Sequence, residues 1–208
     1  KITSITGAPK VFANGQGGLL DVRVSPVNRD QIYLTYSEPV GEDDATTALG
    51  VGTLKGSELF GFKKLFSAQP PNDETIHFGS RVEFDGKGHL FFAIGDRNAR
   101  PKVQDLSFHN GKMIRLKMDG SIPADNPLVK TSNAKPEIWS LGHRSPQGLV
   151  RDPKTGDLWE AEMGPRGGDE LNFIEPGKNY GWPEVTYGRE YSGFPLGVKE
   201  KVGMTQPV

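Results

Sequence analysis

Apolar residues recur along this chain in short runs of β-branched, aliphatic and aromatic side chains, each closed by Gly, Pro, Asn or Asp. Runs at 31–37, 48–54, 62–66, 81–84, 89–94, 112–117, 137–142, 157–162 and 170–174 read as β-strands. Helical periodicity is nearly absent, so the pattern predicts an all-β fold: a sandwich, a barrel or a propeller.

An internal repeat separates these options. Segments starting at Val22, Val82 and Leu149 share one order of features: an apolar strand, then a turn carrying Asp or Asn with Gly or Pro. An aliphatic–aromatic pair then opens the next strand, as Ile32/Tyr33, Leu90/Phe91 and Leu158/Trp159. Tyr33, Phe91 and Trp159 stand 58 and 68 positions apart, intervals that suit a four-stranded blade with long loops. The repeat therefore predicts a β-propeller, whose inner strands point at a shared axis and whose loops at one end form a pocket mouth.

Composition agrees. Among 208 residues are 27 Gly and 16 Pro, too many turn-makers for long helices. Three Trp, five Tyr and eleven Phe supply a core and argue against disorder. Lys and Arg total 25 against 26 Asp and Glu, a net charge of −1 that argues against a nucleic-acid partner. No apolar run approaches the roughly 18 residues that span a bilayer, so no membrane span is expected. Cysteine is absent, which excludes disulfides and thiolate chemistry. The chain opens with Lys1 rather than Met, as expected of a mature form or a piece of a longer protein.

Four Gly-rich polar segments carry candidate chemistry. In Asn14–Leu20 the glycines leave Gln16 free to point inward, and no helix pattern follows that would make a dinucleotide cradle. His77 precedes one strand and Asp96 follows its hairpin partner, so the two fall at the same end; a carboxylate beside an imidazole fixes its tautomer and raises its basicity. Arg144, in the Gly/Pro-rich stretch after Trp139, offers a fixed cation for a developing oxyanion. Gly164-Pro165 forms a turn whose second residue lacks an N–H, so it can expose carbonyl oxygens, hard ligands of the kind calcium prefers. The string GGDEL at 167–171 matches a turn of cyclic-dinucleotide cyclases, but those need an α/β domain this chain does not encode. His89, His109 and His143 lack ligand spacing and read as packing or surface imidazoles.

Read together, GQGGLL at 15–20, HFGSR at 77–81, IGD at 94–96 and GKMIRLKMDGSIPADNP at 111–127 resemble one known family. EIWSLGHRSPQGL at 137–149, EMGPRGGDELN at 162–172 and GKNYGWP at 177–183 extend the match along nearly the whole chain. It is the family of PQQ-dependent aldose sugar dehydrogenases and soluble glucose dehydrogenases. The resemblance implies a six-bladed β-propeller that oxidises an aldose at its anomeric carbon to a lactone. Electrons would pass to pyrroloquinoline quinone (PQQ) and on to an external acceptor, in a periplasmic or secreted protein. It implies that His77 is the base, that Asp96 orients it, and that Arg144 lies against the quinone oxygens. Gln16 would line the cofactor pocket, and the carbonyls of Gly164 and Pro165 would hold Ca²⁺. Ser145 stands where many relatives carry Asn, and no cofactor contact carries over to Arg97 or Asn98.

Six blades need about 240–300 residues at roughly 40–50 each, so residues 1–208 are expected to form one partial propeller domain of about three to four blades. Such an arc either belongs to a longer protein or closes by self-association. Two other readings stand beside the dehydrogenase. One is a non-catalytic propeller that binds carbohydrate or protein. The other is a calcium-dependent propeller hydrolase, for which Asp96 and Asn98 are too few axial ligands.

Overall fold

The computed structural model describes residues 2–208. Eleven strands form three antiparallel sheets. The first sheet contains β1 (Leu19–Val24), β2 (Gln31–Val40), β3 (Asp44–Lys55) and β4 (Glu58–Ser67), in that order. The second contains β5 (Gly79–Phe84), β6 (His89–Ile94), β7 (Lys112–Lys117) and β8 (Ile138–Leu141). The third has three strands, β9 (Pro146–Arg151), β10 (Leu158–Glu162) and β11 (Glu170–Ile174). The only helical element among the described residues is a 3₁₀ turn at Arg100–Lys102. This is a partial β-propeller, as the sequence repeat predicts.

Each repeat is the first hairpin of a sheet. Val22 pairs with Leu34, Val82 with Phe92, and Leu149 with Glu160. The first strands β1, β5 and β9 lie next to one another. Up-and-down order within each sheet then puts the starts of β1, β5 and β9 at one end, together with the ends of β6 and β10.

Strand β6 lies in the middle of the stack and is apolar on both faces. Leu90, Phe92 and Ile94 face the first sheet, packing with its Tyr33 and Leu49 and with Val82 of β5. Phe91 and Ala93 face the third sheet, packing with Met113, Leu158, Ile174 and Tyr180. Burying each large side chain here contributes about 1.5–3 kcal/mol, so the two layers weld three sheets into one body. The far faces of the first and third sheets carry exposed Leu19, Val22, Val24, Val150 and Leu171. Several strands differ from the pattern reading: β1 is not among the runs, and β2, β3 and β5 extend beyond 31–37, 48–54 and 81–84. β4 is longer than 62–66, because this outer strand carries exposed polar residues that interrupt the apolar run. β9 begins inside a stretch that reads as a loop: Pro146 opens it, and a proline is tolerated as a strand's first residue.

Candidate functional site

The pairing of Gly79 with Ile94 puts the residues just beyond these strand ends side by side. His77 Nδ1 lies 2.7 Å from Asp96 Oδ1, with His77 7% and Asp96 1% exposed. The approach depends on Gly95, where a Cβ would sit 2.1 Å from the His77 carbonyl oxygen. His77 has a φ of +54°, a left-handed conformation uncommon outside glycine. Several bonds hold it there. The His77 N–H donates to Gln16 Oε1 at 2.7 Å, and the Thr47 hydroxyl donates to the Phe78 carbonyl at 2.7 Å. The first sheet thus aims a residue of the second.

Asp96 is gripped on both oxygens. Its Oδ1 also accepts the Asn98 N–H at 2.8 Å, and its Oδ2 accepts Trp182 Nε1–H at 2.8 Å. Its own N–H donates to the Arg144 carbonyl at 2.8 Å, joining the second sheet to the entry of the third. Trp182 comes from the GKNYGWP segment, whose N–H groups at Tyr180 and Trp182 bond the carbonyls of Leu141 and Gly142. Sequence reasoning passed over Trp182; its only signal was membership of that motif.

Arg144 is 4% exposed and donates through Nη1 to the carbonyls of Met163 (2.8 Å) and Gly164 (2.7 Å). Its Nε is buried without a partner. Its guanidinium lies 5.4 Å from the Trp182 ring, which sets His77, Asp96, Trp182, Arg144 and Gly164 in one continuous constellation. A cavity of ≈ 10 Å³, the size of a single water or ion, is bounded by Arg144, Glu162, Gly164, Pro165, Trp182 and Thr186. No described residue donates a hydrogen bond to the Pro165 carbonyl. The Ser145 hydroxyl accepts from Gln147 Nε2 at 3.0 Å, and its N–H donates to Glu162.

Arg97 has a different task. It also adopts a positive φ (+51°) and turns beneath the His77 loop, donating to the carbonyls of Glu74, Ile76 and Ala45 and to Asn72 Oδ1. Burial lowers its pKa to about 10, so it remains a cation at neutral pH. It is a strut under the site.

Behind Arg144 lies a group of buried acids that sequence reasoning did not single out. Glu160, Glu162 and Asn172 face one another across β10 and β11, beside His143. Burial and the neighbouring Glu162 push the Glu160 carboxyl well above its ordinary value, and the same causes raise Glu170 to about 8.

The chain as a whole is similar to known proteins. The chain is 48% identical over 196 residues to aldose sugar dehydrogenase YliI of Escherichia coli (strain K12), covering 92% of this chain and 53% of that protein. It is similar to the crystal structure of soluble aldose sugar dehydrogenase from Escherichia coli in the apo-form, with a TM-score of 0.95 and 46% identity. That match covers 99% of this chain and 61% of the other. The PQQ-bound form of aldose sugar dehydrogenase from Streptomyces coelicolor matches with a TM-score of 0.73 and 29% identity, over 96% of this chain and 55% of that one. The chain thus spans about half the length of the curated relative. No helix among the described residues is long and apolar enough to cross a membrane. The family model for glucose / sorbosone dehydrogenase matches residues 1–208, and the chain belongs to that family.

Proposed function

We propose that this chain carries the sugar-oxidising half of a PQQ- and calcium-dependent aldose dehydrogenase, with His77 as general base. The observation that carries the reading is the buried His77–Asp96 pair at 2.7 Å, locked by Trp182 and Asn98 and tied through its backbone to Arg144. With Nδ1 engaged by Asp96, the proton on that nitrogen is held in place and Nε2 becomes the basic position. Nε2 then takes the proton of the anomeric hydroxyl as the sugar is oxidised to a lactone.

The residues present fit the implied groups. Arg144 offers a buried Nε–H that has no partner, suited to a quinone oxygen. The Pro165 carbonyl, the second lone pair of the Gly164 carbonyl and the ion-sized cavity beside them suit a hard cation such as Ca²⁺. When bound, PQQ supplies the two-electron acceptor, and Ca²⁺ makes it more electrophilic. Gln16 sets the His77 backbone, Asp96 fixes the imidazole, and Trp182 with Asn98 keeps both Asp96 oxygens from turning away. Arg144 holds a positive charge where negative charge develops. An aldose substrate, an external electron acceptor and a periplasmic or secreted location accompany this reading.

The test is dye-linked oxidation of glucose and other aldoses after adding PQQ and Ca²⁺. Dye reduction by the wild type and its loss in His77→Ala, with PQQ absorbance changes retained in the variant, are the expected results. Wild-type protein that neither perturbs PQQ absorbance nor reduces dye refutes the assignment. Turnover retained in His77→Ala removes that residue from the role of base.

A further inference from the structure

The acids behind Arg144 present an electrostatic problem that the proposed sugar chemistry leaves untouched. His143 and Glu160 are 0% exposed and Glu162 is 5% exposed, and one ligand atom from each falls within 4.8 Å of the others. Polar atoms of this cluster lack partners: His143 Nδ1, Glu160 Oε1 and Asn172 Oδ1 are all buried without a hydrogen bond.

The imidazole is fixed. Its Nε2 lies 2.9 Å from the Ser140 hydroxyl, and its ring stacks on Tyr180 at 4.9 Å. Its Nδ1 then faces Glu162 Oε1 at 3.5 Å and Glu160 Oε2 at 3.9 Å. These distances are too long for an N–H···O bond. Tetrahedral bonds of about 2.0–2.2 Å put neighbouring ligand atoms about 3.3–3.6 Å apart. The Glu162 separation falls in that range, and Glu160 needs to close by about 0.3 Å to reach it.

The first and second coordination layers are both present. Glu162 Oε2 is bonded to the N–H groups of Arg144 and Ser145, leaving Oε1 to face inward. Asn172 Nδ2 reaches Glu160 Oε2 (3.1 Å) and Glu162 Oε1 (3.2 Å), so a half-turn of this amide presents Oδ1 to the same point. The Ser140 hydroxyl takes the part of the outer partner that orients a metal-bound histidine.

We propose that His143 Nδ1, Glu160 and Glu162, completed by Asn172 Oδ1, bind a structural divalent cation of the zinc type. One imidazole nitrogen with carboxylate oxygens at these spacings suits zinc better than calcium, which takes oxygen ligands at 2.3–2.6 Å. The ion neutralises two buried carboxylates and joins the start of β9 to β10 and β11. The site adjoins the cavity beside Gly164 and Pro165, which Glu162 also bounds, but uses neither carbonyl as a ligand, and it stands whether or not the chain oxidises sugars. High burial means that the ion enters as the chain folds.

The experiment unfolds the full chain in chelator-treated denaturant and refolds it with Zn²⁺. After exhaustive dialysis, metal content and the zinc-edge X-ray absorption spectrum are measured. About one zinc per chain, with a nitrogen/oxygen shell near 2.0–2.1 Å that includes one imidazole, is the expected result. In Glu160→Gln, retained zinc falls at least tenfold. Wild type that retains no zinc overturns the proposal. So does zinc held equally by Glu160→Gln, or a shell without imidazole. Should the variant fail to refold, the wild-type metal content and spectrum decide the matter alone.

Discussion

The indole–carboxylate bond from Trp182 to Asp96 gives a prediction whose size follows from the geometry. Asp96 is 1% exposed, and Trp182 Nε1 donates to its Oδ2 at 2.8 Å. Trp182→Phe keeps an aromatic ring between Arg100 and Arg144 but removes the donor, stranding one oxygen of a buried carboxylate. Hydrogen bonds to charged groups contribute about 1.5–3 kcal/mol. Loss of the pyrrole ring's packing adds to this, so the fitting control is Trp139→Phe. Trp139 Nε1 is buried with no partner, and its ring also lies near a guanidinium, that of Arg115 at 4.9 Å. The same ring contraction there breaks no hydrogen bond and relieves a stranded donor. Urea unfolding of wild type and both variants reads the difference. With a slope of about 2 kcal/mol per molar urea, Trp182→Phe should unfold about 1 M earlier than Trp139→Phe. Midpoints within about 0.2 M of each other, at unchanged slope, would refute the claim that the indole N–H holds Asp96.

Three further outcomes follow from neighbouring geometry. Arg97→Met leaves the carbonyls of Glu74, Ile76 and Ala45 without their donor, and should cost about 3 kcal/mol. Read by calorimetry, that is a melting temperature lower by about 6–12 °C, and an unchanged one would show that water replaces the guanidinium. Gly95→Ala drives a methyl group to 2.1 Å from the His77 carbonyl and 3.1 Å from that of Arg144, so backbone must move. A loss of about 1–3 kcal/mol in urea unfolding is expected, with a displaced His77 ring resonance by NMR; wild-type values for both would contradict the close approach. Burial raises the Asp85 carboxyl, but the N–H groups of Lys87 and His89 and the His89 ring outweigh it and hold the pKa below its ordinary value. A depressed carboxylate stabilises the fold above its unfolded pKa and loses that contribution as pH falls through the folded one. The stability gap between wild type and Asp85→Asn should therefore narrow as pH falls from about 5 towards 2, and a gap constant with pH would contradict the assignment.

The blade hairpins were legible because their signal is local: Asp85-Gly86 or Asp152-Pro153, then Leu90-Phe91 or Leu158-Trp159, fixes both the turn and the face. The His77–Asp96 contact was legible for the same reason, since hairpin register alone puts the ends of β5 and β6 together. Trp182 was not, because it meets Asp96 across 86 residues of chain and no periodicity connects them. Arg97 follows the recognised Asp96, but only the left-handed turn there decides that it points under the site rather than into it. His143 lacked ligand spacing because its neighbours Glu160, Glu162 and Asn172 lie on strands that pairing, not sequence distance, brings near. The repeat marks a strand at Leu149, but the start of β9 was hidden by its opening proline.

The three repeat turns, at 25–30, 85–88 and 152–157, all lie at the end of the sheets opposite His77 and Arg144. Chemistry and chain reversal thus occupy opposite poles of the molecule. A foreign peptide spliced between Lys154 and Thr155, both exposed, would emerge a full strand length from the Asp96 carboxylate and leave its bonding partners untouched. The pole of turns is where this scaffold can be labelled, tethered to an electrode or fused to another protein without re-aiming the histidine.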